Sequence, residues 1–224
     1  MDLADLLAIR PGVTAVIGGG GKTTLLRTLG EELAKTGHTV LLCTTTKIFP
    51  FQDLPCAQSL EELDRLRERA CLLCAGTEVP GTGKLTALDT PMSELAARFQ
   101  YVLVEADGSA QHPLKAHAAY EPVIPAEANQ NICVVGASGF GKPIREAAHR
   151  PELYARLADC AVSDAASPER AAAVLRAEDL HHRIYVNQVE QGTELAHART
   201  LAALLDCPVL AGSLQRREYF VCSL

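Results

Sequence analysis

Four consecutive glycines, Gly18 to Gly21, followed by Lys22, Thr23 and Thr24, form the segment of this chain with the most definite chemistry. Glycine reaches backbone angles closed to other residues, so successive N–H groups can converge on one anion. The helical pattern that begins near Lys22 adds N–H groups without intrahelical partners and the positive end of a helix dipole. In such a cradle the lysine ammonium meets the β- and γ-phosphates of a nucleoside triphosphate, and the Thr23 hydroxyl ligates Mg²⁺. Lys22 is therefore read as catalytic, and Gly18, Gly19, Gly20, Gly21, Lys22, Thr23 and Thr24 as nucleotide-binding.

A second chemical centre lies at Glu105 and Asp107, in the run YVLVEADG. An apolar strand that ends in carboxylates before a glycine suits a Mg²⁺ ion beside a phosphate cradle. The two acids are two residues apart, on one side if the strand continues, so Thr23, Glu105 and Asp107 form the expected metal set and Asp107 a catalytic candidate. Thr44, Thr45 and Thr46 offer hydroxyls that suit sensing of a γ-phosphate, and Thr45 is taken for that role. Asn187 and Glu190, in VNQVE, sit where GTP-binding chains carry N-K-x-D to read guanine. Gln188 and Glu190 depart from that pattern, which leaves the base open between ATP and GTP. Ser109, Lys115 and Glu121 are substrate-contact candidates in a proline-rich connector that also carries His112, His117 and Tyr120.

These groups need a scaffold that delivers strand ends to one edge. The apolar run Val13 to Ile17 enters the glycines, and Leu25, Leu26, Leu29 and Leu33 recur at helical spacing up to Gly37. Thr39 to Cys43 then reads as a strand, so strand, helix and strand occupy some ~30 residues, a βαβ unit that implies a parallel sheet. Ser59 and Glu62 make a capping box for a helix with Leu60, Leu63 and Leu66 on one side. Pro80, Gly81 and Gly83 mark an inserted hairpin within residues 76–90, and Thr90-Pro91 opens a helix that turns Leu95 and Phe99 inward. Residues 109–130 read as an irregular loop that contacts substrate or partner. A strand is expected over Asn131 to Val135, and the following GASGFGKPI lacks Ser or Thr after Lys142, so it is no second phosphate loop. Helices at Pro151 to Leu157 and Ser167 to Leu175, a strand at Arg183 to Val186, a helix at Thr193 to Leu205 and a strand at Pro208 to Ala211 complete the expected sheet.

Composition narrows the classes. The chain has 224 residues, 48% hydrophobic and 21% charged, an ordinary globular balance that fits a single domain over 1–224. A net charge of −6 without a basic block argues against a nucleic-acid surface. No apolar run approaches the ~18 residues that span a bilayer. The first residues, MDLADLLAIRPG, suggest a short amphipathic helix rather than an export signal, so a cytoplasmic location is expected. The eight cysteines are then expected as reduced thiols, with Cys43, Cys133 and Cys160 in or beside buried strands. Cys71 and Cys74 are spaced C-x-x-C, but an offset of three along a strand sends them to opposite faces.

The loop G-G-x-G-K-T resembles the tighter form found in dimerising P-loop proteins such as dethiobiotin synthetases. Val16 stands where the longer pattern has glycine, and Ile17 where that group often carries a second lysine, so a lysine reaching across a dimer is not encoded. Over nearly the whole length, IGGGGKTTL, CTTTKI, VEADGSA with PLKA and EPVIP, GKPI with HRPE, and VNQVE resemble the YqeC-like accessory proteins of selenium-dependent hydroxylases. His117 and Tyr120 depart from that family's pattern. The resemblance implies an α/β, P-loop NTPase-like fold with a mostly parallel sheet and helices on both faces. It implies a protein that binds, and with Mg²⁺ hydrolyses, ATP or GTP while selenium-dependent molybdenum hydroxylases mature. The partners it implies are a molybdenum hydroxylase apoenzyme or a cofactor-maturation protein, with a homodimer as a further expectation. Two alternatives stand beside it: a nucleotide-gated binding module without appreciable turnover, and a small-molecule kinase or ligase of the dethiobiotin synthetase type.

Overall fold

The protein is described here by a computed structural model covering residues 1–224. Its contacts gather into two compact units. The first comprises Met1–Val16, Thr23–Gly108 and Val123–Gln130; the second comprises Ile17–Lys22, Ser109–Pro122 and Asn131–Leu224.

In the first unit a short helix α1 (Leu3–Leu6) precedes β1 (Gly12–Gly18), whose last two residues belong to the second unit. Then follow α2 (Lys22–Lys35), β2 (Val40–Thr44), β3 (Lys47–Ile48), β4 (Cys56–Ala57) and α3 (Leu60–Arg67). The unit continues with β5 (Leu72–Ala75), β6 (Thr77–Val79), β7 (Lys84–Thr86), α4 (Met92–Ala96) and β8 (Tyr101–Glu105). Strands β4, β5, β2, β8 and β1 lie side by side in that order, each pair parallel. They read as nearly unbroken apolar runs because both faces are covered. On one face Leu41, Cys43, Leu73, Val102 and Val104 pack with Leu63 of α3 and Leu95 and Phe99 of α4 and its C-terminal end. On the other, Gly30 of α2 meets Leu42 and Leu72, the alternate strand residues. A methyl at Gly30 would lie 2.9 Å from Leu72 Cδ1, so the absent side chain sets how closely this helix sits. Leu25, Leu26 and Leu29 on α2 are fully buried, each stabilising the unit by about 1.5–3 kcal/mol.

The expected hairpin is β6 and β7, antiparallel, and β3 adds to it as a third strand. Ser59 caps α3 by accepting from the Glu62 N–H. Cys71 is exposed and Cys74 buried, as their spacing requires; the residue across from Cys74 is Cys56, its register partner on β4.

The second unit holds β9 (Leu114–Lys115), most of β10 (Ala128–Gly136), α5 (Ile144–Ala147), β11 (Ala148–His149) and α6 (Pro151–Leu157). It ends with α7 (Pro168–Glu178), β12 (Arg183–Asn187), α8 (Gly192–Ala202), β13 (Val209–Ser213) and β14 (Glu218–Ser223). Strands β10, β12 and β13 are parallel neighbours, and β14 pairs antiparallel with β13 at the edge. Four sequence expectations are corrected. The strand expected at Asn131 begins at Ala128, so the irregular segment ends before residue 128. Within that segment β9 pairs parallel with β11. The sheet does not close at Ala211, because β14 follows. Cys160, expected near a strand, lies in the turn after α6. No helix is long and apolar enough to cross a membrane.

Candidate nucleotide-binding site

In the first unit three parallel strands end in one row. Val16 of β1 and Thr44 of β2 are both register partners of Glu105 of β8. Ligands of α/β sheets bind at such carboxyl ends. Thr23, on the first turn of α2, donates its hydroxyl to Glu105 Oε2 at 2.6 Å, a charge-assisted bond that joins two members of the expected metal set. A hydroxyl and a carboxylate in contact are the hard oxygen donors that Mg²⁺ takes beside phosphate oxygens, so the residues fit that ion. Asp107 is fully buried two residues beyond Glu105. No group of three or more His, Cys, Asp and Glu side chains comes together as a metal cluster, so a Mg²⁺ site here depends on Thr23 as well as the acids.

The threonines close around the same strand end. Thr44 Oγ1 donates to the Glu105 carbonyl at 2.8 Å and Thr45 N–H to the same oxygen at 3.2 Å. The Thr45 hydroxyl, expected to sense a γ-phosphate, donates to the Val123 carbonyl at 2.7 Å. Its lone pairs remain for accepting, but its proton is engaged within the protein.

In the second unit the glycine loop has the backbone its sequence requires. Gly18 and Gly20 have φ of +94° and +79°, and a side chain at Gly20 would press on the Gly136 Cα at 2.5 Å. Lys22 is 4% exposed and donates from Nζ to the Gly18 carbonyl at 2.7 Å, so its ammonium is folded over the loop. The N–H of Gly19 donates to the Val134 carbonyl at 2.9 Å and that of Gly20 to the His112 carbonyl at 3.1 Å. The next residue of that connector, Pro113, accepts from Gly136 N–H at 2.8 Å. A main-chain strap therefore holds the Gly20 N–H, and β10 the Gly19 N–H, both of which the sequence reading gave to phosphate.

Asn187 ends β12 and is 6% exposed. Its Nδ2 donates to the Gly20 carbonyl at 2.7 Å, and its Oδ1 accepts from Leu214 N–H at 3.3 Å. It thus ties the glycine loop to the end of β13 besides standing at the expected base-reading position. Glu190 is exposed, with Oε2 3.5 Å from Arg216 Nη2. Thr24 is exposed on the first turn of α2.

The substrate candidates divide. Ser109 is half-buried at the start of the strap. Lys115 and Glu121 bond to each other at 2.9 Å, with side chains 0% and 10% exposed, and Arg150 Nε completes the group at 2.6 Å from Glu121 Oε1. Burial pushes the Glu121 carboxyl up, but the hydrogen bonds from Arg150 and Lys115 outweigh it and hold it below the usual carboxylate range. Lys115 and Glu121 therefore act first on each other. Sequence reasoning passed over Arg150, Arg216 and Leu214. HRPE was a signal for the first, and nothing local marks the other two.

A family profile described as YqeC protein matches residues 14–152. A protein of Escherichia coli (strain K12) described as uncharacterized protein YqeC is 34% identical over 155 residues, 65% of this chain and 60% of that protein's length. Among solved structures, the signal recognition particle receptor FtsY of Elizabethkingia anophelis aligns at a TM-score of 0.46 and 14% identity, over 97% of this chain and 65% of that one. The 54 kDa signal recognition particle protein of Aeropyrum pernix K1, solved with GDP, aligns at 0.44 and 16%, over 94% of this chain and 43% of that one. HypB of Helicobacter pylori, solved with nickel, aligns at 0.38 and 12%, over 92% of this chain and 80% of that one. At such scores these likenesses carry no inference about chemistry. The family profile covers more than half of the sequence, and this chain belongs to the YqeC family.

Proposed function

We propose that this protein binds a Mg²⁺–nucleoside triphosphate along Gly18 to Thr24 and hydrolyses its terminal phosphate, as an accessory in the maturation of selenium-dependent molybdenum hydroxylases. The observation that carries the reading is the 2.6 Å bond between Thr23 and Glu105, which sets a hydroxyl and a carboxylate together one residue after Lys22. Lys22 and the N–H groups at the start of α2 neutralise the phosphates. Thr23, Glu105 and Asp107 hold Mg²⁺, which when bound offsets the charge on the phosphate oxygens. Glu190 presents two acceptor oxygens, which match the paired N–H donors on the guanine edge better than the mixed edge of adenine, so GTP is the favoured nucleotide. The place in hydroxylase maturation, with an apoenzyme or maturation protein as partner, rests on the resemblance of the motifs.

Thermal unfolding with Mg²⁺–GTP and Mg²⁺–ATP tests binding. Ligand at about 100 times Kd stabilises the native state by ~2.7 kcal/mol. Lys22→Ala removes that shift. An undiminished shift in the variant, or none in the wild type, overturns the reading.

The gated-module reading has its own support in the Gly20 N–H bonded to the His112 carbonyl, because a phosphate that takes this N–H must release the strap. Phosphate release over hours separates the two: binding without release favours the module, release favours the hydrolase.

A further inference from the structure

Three of the motifs that carry the resemblance lie outside the phosphate loop in sequence: PLKA, EPVIP and HRPE. In the second unit two of them meet directly with a glutamate of the third. Leu114–Lys115 pairs with Ala148–His149, and Glu121 accepts from both Lys115 and Arg150. Arg150 stands before α6 with φ +62° and ψ +60°, a left-handed conformation that costs a non-glycine residue free energy and is kept where the surroundings enforce it. Its guanidinium lies 5.1 Å over the ring of Tyr120, which is itself 71% exposed.

The group borders an open cavity of about 710 Å³, whose wall includes His117, His149, Arg150, Glu152, Leu153 and Arg156. That volume is ample for a small metabolite. Its charges are set in unequal ways. Glu121 fixes Arg150 through Nε, which orients the rest of the guanidinium fork. Arg156 is exposed, and its side chain makes no hydrogen bond or ion pair, not even with Glu152 four residues earlier on the same helix. Burial, and after it the charges of Lys115 and Arg150, hold the His149 imidazole below its ordinary range. His117 is clamped by Glu178, which accepts from its backbone N–H at 2.6 Å and lies 2.8 Å from Nδ1.

We propose that this cavity is a second ligand site, distinct from the glycine loop, that takes a small phosphate monoester. Arg150 and Arg156 receive the phosphate, whose planar pairs of oxygens suit guanidinium forks. Glu152 accepts from a hydroxyl or amine on the body of the ligand, and Leu153 lies along its carbon skeleton. A monoester fits better than a neutral solute because the Arg156 side chain lies on this wall with no acid bonded to it, while Arg150 engages Glu121 through Nε.

The site is tested in the full chain carrying Lys22→Ala, so that the glycine loop is weakened and the result does not depend on the nucleotide reading. Isothermal titration with glycerol phosphate should give saturable binding in this background. Adding Arg156→Gln should weaken it ~10-fold or more, the scale of losing one charge-assisted contact. Arg65→Gln, which removes the same charge from exposed α3, should leave it unchanged. The proposal is overturned if glycerol phosphate does not saturate, if Arg65→Gln weakens it as much as Arg156→Gln, or if malonate binds and glycerol phosphate does not. Mg²⁺–nucleotide binding by Arg156→Gln alone is measured in parallel and should match wild type; its loss overturns the separateness of the two sites.

Discussion

At the scale of single residues the proposed phosphate site turns on the Thr23–Glu105 bond. Glu105→Gln keeps the shape and an acceptor for the Thr23 hydroxyl while removing the charge. The unliganded protein should therefore change by only about 1 kcal/mol, the difference between a charged and a neutral hydrogen bond. Its response to Mg²⁺ should change far more: stabilisation by GTP measured across a Mg²⁺ titration should become flat. A metal response equal to wild type removes Glu105 from the metal set. Asn187 is the opposite case, a side chain whose structural bonds come before any base contact. Asn187→Ala leaves the Gly20 carbonyl and the Leu214 N–H without their partner and should cost about 1–3 kcal/mol in urea unfolding. Asn187→Asp should cost at least as much, because a carboxylate then faces the Gly20 carbonyl where an N–H stood. The sequence singles out Lys22, Thr23 and Glu105 because glycine runs and acids at strand ends have few other uses, and the structure brings Thr23 and Glu105 into contact. It could not show the direction of Asn187, since an amide reads a base and ties a loop with the same atoms.

At the scale of elements the strap from Ser109 to Pro122 is the part least like its expectation. A proline-rich connector reads as irregular, and a two-residue strand such as β9 leaves no period to detect. What orders it is long-range pairing, with β11 at Ala148–His149 and with Gly20 and Gly136 through His112 and Pro113. The edge strand β14 was missed for a related reason: Phe220 and Val221 are exposed neighbours, so its burial does not alternate. By contrast α3 and α7 announced themselves through Ser59 and Ser167, each accepting from the N–H three residues on. The strap yields a prediction at its own scale. If a phosphate takes the Gly20 N–H from the His112 carbonyl, adding Mg²⁺–GTP should speed amide exchange at Gly136, which Pro113 holds, and slow it at Gly21 to Thr24. Protection that rises at both places would mean that the nucleotide binds without moving the strap.

For the whole molecule the arrangement of charge sets how it meets acid. Burial holds the imidazoles of His149 and His181 below their ordinary value of 6.5, with Lys115 and Arg150 adding to the effect at His149. In the window just below pH 6.5 the unfolded chain therefore binds more protons at these two residues than the native protein does, and stability must fall as the pH falls. Glu121 adds a second loss in the same direction at lower pH. Its carboxyl is held below 4.5 by Arg150 and Lys115 against the effect of burial, so its contribution is complete above that value and disappears as pH drops through its native value. Urea midpoints should accordingly be level from pH 8 to pH 7 as far as these groups are concerned, decline from about pH 6.5, the free imidazole value, and fall again below about pH 4.5, the free carboxyl value. His149→Gln with His181→Gln should flatten the first decline and leave the second, whereas Glu121→Gln should lower the level at neutral pH and weaken the second. A wild-type midpoint that is constant from pH 7 to 5.5, or a double histidine variant with an undiminished first slope, would show that these rings are as freely charged in the native protein as in the unfolded chain.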